Sequence, residues 1–248
     1  MELAMSKKLS VMFTVALLIV ASFAHAASQT DSFKTDAGEL KITFLKHASL
    51  MLDFHGAIIH IDPVAQMADY NNLPKADLIL ITHEHYDHFE PDTIKQISKE
   101  GTKVLLTATC AKKLAGGTVL NNGDETKVAD IDILAVPAYN LIHKKDNGEP
   151  YHAKGTGNGY LLTMGGKKVY VAGDTENIPE MKGLIDIDIA FLPMNLPYTM
   201  TPEMVADAVL CFKPKVLYPY HFSGTDPAEL TTIMKEFAGT EVRVRDMP

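Results

Sequence analysis

The segment at residues 82–88, Thr-His-Glu-His-Tyr-Asp-His, limits most strongly what this chain can fold into. It holds four potential metal ligands within six residues, and it continues an apolar run at residues 76–82 that is typical of a buried strand. In an extended segment His83 and His85 point to the same side, so two imidazoles can converge on one ion. A turn at Asp87 and His88 can aim a carboxylate and a third imidazole at a neighbouring site. Chance histidines in a solvated loop are the alternative, but the position after a buried strand favours a metal site.

Three further ligand-type residues stand where predicted strands end. Asp62 follows the apolar run Ala57–Ile61, Asp174 follows a strand at residues 168–172, and His221 follows Val216–Tyr220. The glycine before Asp174 permits a sharp exit from its strand, and a carboxylate there can bridge two ions about 3.5 to 4 Å apart. Asp62 can orient a ligand histidine through its second ring nitrogen. Glu84 should face away from the other ligands, and we give it no metal role.

Composition and charge narrow the range of partners. The chain has 248 residues, 46% hydrophobic and 22% charged, which is the balance of one globular domain. A formal net charge of -8 argues against extended binding of nucleic acid, because phosphate contacts need a surplus of Lys and Arg. We therefore expect a small-molecule substrate and no nucleic-acid partner, whereas the oligomeric state stays open.

The first 26 residues predict a cleaved signal peptide. Lys7 and Lys8 precede an apolar run at residues 11–20, and Ala24-His25-Ala26 supplies the small residues that a signal peptidase requires. Cleavage is expected after Ala26, with Ala27 as the other position. A retained membrane anchor is less favoured, because the run is shorter than the roughly 20 residues that a spanning helix needs. The prediction is a periplasmic or secreted domain of residues 27–248 without a stable anchor.

The rest of the chain predicts one α+β domain in which strands and helices alternate. A polar lead at residues 27–38 precedes the first strands, and the aperiodic residues 138–158 predict a long functional loop. Cys110 and Cys211 lie in apolar stretches and are expected to be buried free thiols. The predicted strands are 40–45, 49–54, 57–61, 76–82, 103–107, 131–136, 160–164, 168–172, 187–192, 216–220 and 241–245. One predicted helix begins near Pro91, and three others cover residues 110–114, 202–212 and 227–237.

The four strand ends, in the order Asp, His-x-His-x-Asp-His, Asp and His, closely resemble the metallo-β-lactamase superfamily. The resemblance spans nearly the whole of residues 27–248. It implies an αββα sandwich of two sheets with a dinuclear metal site at one edge, and hydrolysis as the usual reaction. The order Ala138-Tyr139-Asn140, a later histidine and then Gly159-Tyr160 is similar to a branch of metal-dependent hydrolases close to the lactonase and N-acyl phospholipase-like members.

The resemblance also implies a ligand set. His83 and His85 would bind the first metal, Asp87, His88 and His221 the second, and Asp174 both. The superfamily supplies a further histidine to the first metal, but Asn140 stands at the usual place. His152 is favoured as that ligand because its segment leads into the following strand, whereas His143 lies among lysines and is expected to be solvated; Asn140 is the third candidate. His47 is either a residue at the edge of the site or a structural histidine, and His55 and His60 are expected to be structural or exposed.

The implied chemistry is metal-dependent hydrolysis. Histidine and carboxylate ligands suit two divalent ions, with zinc preferred and manganese, iron or nickel as alternatives. A metal-bound hydroxide would be the nucleophile, and Asp87 would orient it or move its proton. The expected substrate is a small ester, lactone or phosphodiester. A non-catalytic metal- or ligand-binding protein that keeps the fold is the alternative function.

Overall fold

The computed structural model describes residues 29–248, so the predicted signal peptide at residues 1–26 and its cleavage point lie outside the described residues. Two seven-stranded sheets pack face to face, with helices on their outer faces, as the predicted αββα sandwich requires. The strands of the first sheet are β1 (Gln29–Thr35), β2 (Gly38–Lys46), β3 (Ser49–Phe54), β4 (Ala57–Ile61), β5 (Ala76–Leu80), β6 (Ser98–Leu106) and β7 (Thr118–Val119). The strands of the second are β8 (Glu125–Val128), β9 (Ile131–Ala138), β10 (Gly157–Met164), β11 (Lys167–Val171), β12 (Ile189–Pro193), β13 (Val216–Tyr220) and β14 (Glu241–Val242).

Each sheet contains both antiparallel and parallel strands, and the parallel strands determine where the candidate site lies. In the first sheet β1 to β4 are antiparallel neighbours, and β4 to β7 are parallel. In the second sheet β8 to β11 are antiparallel, and β11 to β14 are parallel. Because the carboxyl ends of parallel strands meet at one edge of a sheet, the residues that follow β4, β5, β11 and β13 lie together.

Strand β5 shows how the sequence builds the layers. Successive side chains point to opposite faces of a strand. Leu78 and Leu80 accordingly join the core between the sheets, whereas Ile79 and Ile81 join the outer core. A strand that is buried on both faces has the continuous apolar run from which the sequence predicted it.

Two helices cover each outer face. On the first sheet lie α1 (Pro91–Ile97) and α2 (Ala108–Ala111), whose residues Ile94, Ile97 and Cys110 belong to the outer core. On the second sheet lie α3 (Pro202–Phe212) and α4 (Pro227–Met234), and a 3-10 helix spans Pro179–Gly183. Within residues 29–248, none of the helices combines the length and the apolar character needed to cross a bilayer.

Several element predictions need correction. The lead at residues 27–38 contains β1, which pairs with β2 along its whole length, and β7, β8 and the 3-10 helix were not predicted. These strands are mostly exposed and polar, so they lack the apolar pattern on which sequence prediction depends. Helix α2 begins at Ala108 rather than Cys110, because the Thr107 side chain caps it by accepting from Cys110 N. Helix α4 ends at Met234 and β14 at Val242, earlier than expected.

The cysteine prediction is half right. Both thiols are free, and Cys110 is buried. Burial raises the pKa of the Cys110 thiol to about 11. Cys211 is exposed, in contrast to the prediction, because its position in α3 faces solvent. An apolar sequence context did not predict burial here, since neighbours in a helix point in different directions.

Candidate metal centre

Five segments bring ligand-type side chains to one edge of the sandwich. Asp62 follows β4, residues 82–88 follow β5, Asp174 follows β11 and His221 follows β13. The fifth segment is the long loop between β9 and β10, which contributes His152. The site is thus assembled from loops that the parallel strands of both sheets present together.

The first group of ligand atoms belongs to His83, His85 and His152, which lie within 4.8 Å of one another. The imidazole Nε2 of His152 is 3.2 Å from Nδ1 of His85. Three imidazole nitrogens that converge at this spacing form a typical set of protein ligands for a divalent transition metal.

The second group belongs to His47, Asp87, His88 and His221, also within 4.8 Å of one another. Oδ2 of Asp87 lies 3.7 Å from Nε2 of His221 and 3.9 Å from Nε2 of His88. The rings of His88 and His221 stack with centroids 5.1 Å apart. The group therefore offers a carboxylate and several imidazoles to a second cation.

Asp174 lies between the two groups. Its Oδ2 is 3.2 Å from Nε2 of His152 and 3.5 Å from Nε2 of His221, and its Oδ1 is 3.4 Å from Nε2 of His88. His83 Nε2 lies 3.9 Å from Oδ2. One carboxylate thus faces imidazoles of both groups, which is the arrangement that a bridging ligand requires.

Asp62 and Thr82 hold the ligand histidines of the β5 loop. Oδ2 of Asp62 is 2.8 Å from Nδ1 of His88, which is the orienting contact predicted from the sequence. The same carboxylate accepts from the backbone N and the hydroxyl of Thr82, and that hydroxyl lies 3.0 Å from Nδ1 of His83. Contacts of this kind fix the ring orientation and leave the other ring nitrogen free for a ligand bond.

Asn140 holds His152. Its Oδ1 accepts from the backbone N of His152 at 2.8 Å and lies 2.7 Å from the ring Nδ1. Its Nδ2 donates to Oε1 of Glu176 and to the carbonyl of Tyr198, which fixes the orientation of the amide. Because Oδ1 can only accept, Nδ1 of His152 carries the proton and Nε2 presents its lone pair to the site. Asn140 is therefore a support for the ligand rather than part of either ligand group.

Glu176 anchors this loop, and sequence reasoning missed it. The residue is 0% exposed, and its carboxylate accepts from the backbone N atoms of Leu141, Ile142 and His143 as well as from Asn140. The ring Nδ1 of His143 lies 2.8 Å from Oε1 of Glu176. His143 is thus half-buried against Glu176 and not solvated as expected. The only signal in the sequence was the position of Glu176 two residues after Asp174.

His47 stands at the edge of the second group. Its Nε2 lies 3.2 Å from Oδ2 of Asp87, and its Nδ1 lies 2.9 Å from the carbonyl oxygen of Pro248. Its carbonyl accepts from the backbone N of His221, and the two rings pack in a tilted arrangement with centroids 3.7 Å apart. His47 therefore contacts the site directly. This position matches the first of its two interpretations from the sequence, a residue at the edge of the site.

Backbone geometry at the site is unusual. Asp62, His221 and His47 have φ values of 44°, 48° and 57°, in the left-handed region that few residues other than glycine adopt. Gly173, with φ 65°, precedes Asp174, and a Cβ added there would lie 2.8 Å from the carbonyl oxygen of Asn158. Such strain persists only where surrounding contacts hold it, and it is commonly found at functional sites.

The local electrostatics favour the forms of these residues that bind cations. Burial lowers the pKa of His83, His85 and His221, so these rings are neutral near pH 7. Burial alone would raise the pKa of the carboxyl of Asp174, but the neighbouring imidazoles hold it well below its usual range. Burial alone would lower the pKa of His88, but the carboxylates of Asp174 and Asp62 raise it to about 9. A cation that binds His88 near pH 7 would therefore displace a proton.

Four of the candidate donor atoms have no hydrogen-bond partner. Nε2 of His83, His88 and His221 and Oδ1 of Asp174 are buried and make no hydrogen bond. Each buried polar atom left unpaired costs about 1–3 kcal/mol. Cations bound at the two groups would satisfy these four atoms, and imidazole and carboxylate donors match divalent transition metals. The residues present therefore fit the metal centre that the sequence predicts.

The structure separates the histidines and carboxylates considered in the sequence analysis into those that meet at the site and those that do not. His83, His85, Asp87, His88, His152, Asp174 and His221 all come together at this edge. Among the described residues, His55, His60, His143 and Glu84 belong to neither group. His60 is buried with its Nε2 3.0 Å from the carbonyl of Pro74, so it has a structural role. Glu84 lies half-buried in the wall of the adjoining cavity.

Comparison with known proteins agrees with this geometry. Residues 41–221 match the family described as the beta-lactamase superfamily domain. A UPF0173 metal-dependent hydrolase of Pyrococcus furiosus is 32% identical over 219 residues, covering 80% of this chain and 94% of the relative. This relative is similar along almost its full length.

Two solved structures are also similar. A Parabacteroides distasonis protein assigned as a metal-dependent hydrolase has 50% identity and a TM-score of 0.85, covering 89% of this chain and all of that one. The metallo hydrolase Igni18 of Ignicoccus hospitalis has 28% identity and a TM-score of 0.69, covering 84% of this chain and 95% of that one. The chain belongs to the UPF0173 metal-dependent hydrolase family of the metallo-β-lactamase superfamily.

Proposed function

We propose that this protein is a hydrolase that binds two divalent metal ions and cleaves a small ester, lactone or phosphodiester. The observation that carries the proposal is Asp174, whose buried carboxylate faces imidazoles of both ligand groups and has no hydrogen-bond partner at Oδ1. One group holds His83, His85 and His152; in the other, the proposed ligands are Asp87, His88 and His221, with His47 beside them. These donors exceed what a single tetrahedral ion uses. Zinc is the proposed metal, with manganese, iron and nickel as alternatives.

The metal ions, when bound, would lower the pKa of water toward neutrality and polarise the substrate oxygen, as in other two-metal hydrolases. The chain's own residues supply the positioning. Asp62 and Thr82 fix the rings of His88 and His83, and Asn140 fixes the ring of His152. With its ligand rings held in place before a substrate arrives, the site needs little reorganisation during the reaction.

Asp87 is the proposed catalytic carboxylate. Its side chain is 22% exposed, against 4% for Asp174, so it can meet both water and substrate. Burial acts to raise its pKa, but the imidazoles of His221 and His47 hold the pKa of Asp87 far below its usual range. The ionised carboxylate can accept a hydrogen bond from the attacking water and orient it. His47 acts as a positioning residue, because its Nε2 holds Oδ2 of Asp87 at 3.2 Å.

Elemental analysis combined with turnover tests the proposal. We expect the purified, metal-loaded protein to hold about two transition-metal ions per chain and to hydrolyse at least one compound among chromogenic esters, lactones and phosphodiesters. Protein stripped with a chelator is the matched control and should be inactive until metal is returned. A single tightly held ion under metal-replete conditions would contradict the two-metal proposal. Two bound metals without turnover on any compound would favour the non-catalytic binding protein.

We also propose export to the periplasm or the exterior, which the charged and apolar pattern of residues 7–26 supports. Amino-terminal sequencing of the protein made in a bacterial host should give Ala27 or Ser28 as the first residue. A mature protein that begins at Met1 or Glu2 would contradict export by signal cleavage.

A further inference from the structure

The described part of the chain carries eight exposed large hydrophobic side chains, and five of them lie on loops that carry candidate ligands or hold Asn140. We call these five the apolar rim: Tyr86, Leu141, Ile142, Leu196 and Tyr198. Isolated exposed apolar residues are normal on a protein surface. A group of them around one opening is not, and such patches commonly mark binding sites.

Chain connections place the rim at the mouth of the site. Tyr86, 82% exposed, stands between the candidate ligands His85 and Asp87. Leu141 and Ile142 directly follow Asn140, and their backbone N atoms are tied to Glu176. Ile142 is 69% exposed even though its backbone is held in this way. These side chains are therefore presented to solvent by a fixed support.

The other side of the rim comes from the loop after β12. The carbonyl of Tyr198 accepts from the side chain of Asn140, and its ring packs against the ring of Tyr151 with centroids 4.9 Å apart. Tyr151 lines a cavity of about 380 Å³ whose walls also include His83, His85 and His152. Leu196 lies two residues before Tyr198, on the same loop. Through its contact with Tyr151, the ring of Tyr198 adjoins the cavity that opens onto the first ligand group.

From this juxtaposition we infer that the substrate joins its hydrolysable group to an apolar tail, an alkyl or aryl chain that lies on the rim while the polar group meets the metal centre. The inference rests on the proposed function, because it names the substrate class of the same site. Burial of a methylene group strengthens binding by about fourfold when it is complete. An open rim covers a chain only in part, so about two- to threefold per methylene is expected.

Binding of n-alkylphosphonates tests the inference without any turnover. Their phosphonate group mimics the polar part of an ester or phosphodiester, and the carbon–phosphorus bond resists hydrolysis. Calorimetric titration of the metal-loaded protein with the methyl, butyl and hexyl compounds should show affinity rising about 30- to 250-fold from methyl to hexyl. Ile142→Ser and Tyr198→Ser should each flatten that rise. Tyr198→Ser keeps the backbone carbonyl that holds Asn140, so the loop support remains.

Matched controls come from exposed hydrophobic residues elsewhere. Ile185 lies at the opposite edge of the second sheet, where its carbonyl accepts from Lys168 at the start of β11, and Leu210 lies on the exposed side of α3. Ile185→Ser and Leu210→Ser should keep the wild-type dependence on chain length. Affinity that does not grow with chain length in the wild-type protein, or no binding of any member, would overturn the inference.

Two further outcomes separate the possible explanations. If Ile142→Ser dissociates an oligomer and leaves the chain-length dependence intact, the rim is a contact between copies of the chain and the inference is wrong. Graded binding of the phosphonates by a protein that hydrolyses no tested compound would refute the proposed hydrolase and support the apolar-tail site.

Discussion

Asp174→Asn is expected to remove bound metal and to lower hydrolysis at least about 1000-fold, while the sandwich stays folded. The carboxylate faces His152, His221 and His88 at 3.2 to 3.5 Å, and a neutral amide cannot balance the charge of two cations. Loss of a residue that only orients a ligand typically costs 10- to 100-fold, so loss of a shared ligand should exceed that range. Metal content by mass spectrometry and turnover of the best compound measure the effect.

Thermal unfolding separates loss of the metal from loss of the fold. A cation that binds only the native state raises the melting temperature, so added metal should stabilise the wild-type protein and not Asp174→Asn. Asp188→Asn is the matched control. Asp188 is also a buried carboxylate, but it pairs with Lys167 and Lys215 at the opposite edge of the second sheet. That variant should lose stability and keep its metals. If Asp174→Asn retains both metals and near-normal turnover, Asp174 is merely a turn residue.

The fold could be predicted from the sequence wherever burial leaves an apolar pattern. Strands β3, β4 and β13 have the predicted bounds, because their side chains pack into the core. Strand β1 was missed because its residues Gln29–Thr35 are mostly exposed and polar. Its position depends on pairing with β2 and on Asp31, which binds Arg245 near the other end of the chain. Interactions between residues so far apart in sequence leave no local pattern.

The ligand groups could be predicted for a similar reason. Each candidate ligand from β5, β11 and β13 stands after a buried strand, so an apolar run followed by a histidine or an aspartate marks its position. The residues that hold the loop between β9 and β10 in place are not indicated by any such sequence pattern. Glu176 holds three backbone N atoms of that loop, and Asn140 links Glu176 to His152. A carboxylate that binds backbone atoms can anchor any sequence, which is why the sequence did not show His143 as half-buried.

The contacts that link Glu176, Asn140 and His152 lead to a second prediction with a large expected effect. His152→Ala should weaken metal binding and hydrolysis by more than about 100-fold, because it removes an imidazole whose Nε2 lies 3.2 Å from both His85 and Asp174. Asn140→Ala should give an intermediate loss of about 10- to 100-fold, since it frees the ring without removing it. Metal titration of each variant, with turnover as the second measurement, gives the comparison.

His143→Ala supplies the matched control from the same loop. Its imidazole rests on Glu176 and is 22% exposed, and it lies outside both ligand groups. Removing it should cost stability of no more than about 1 kcal/mol, through loss of the contact with Glu176, with metal affinity nearly unchanged. A His152→Ala variant with normal metal binding beside a His143→Ala variant without metal would place the ligand at His143. The loop would then have to release the contact with Glu176, since His143 in that contact lies outside both ligand groups.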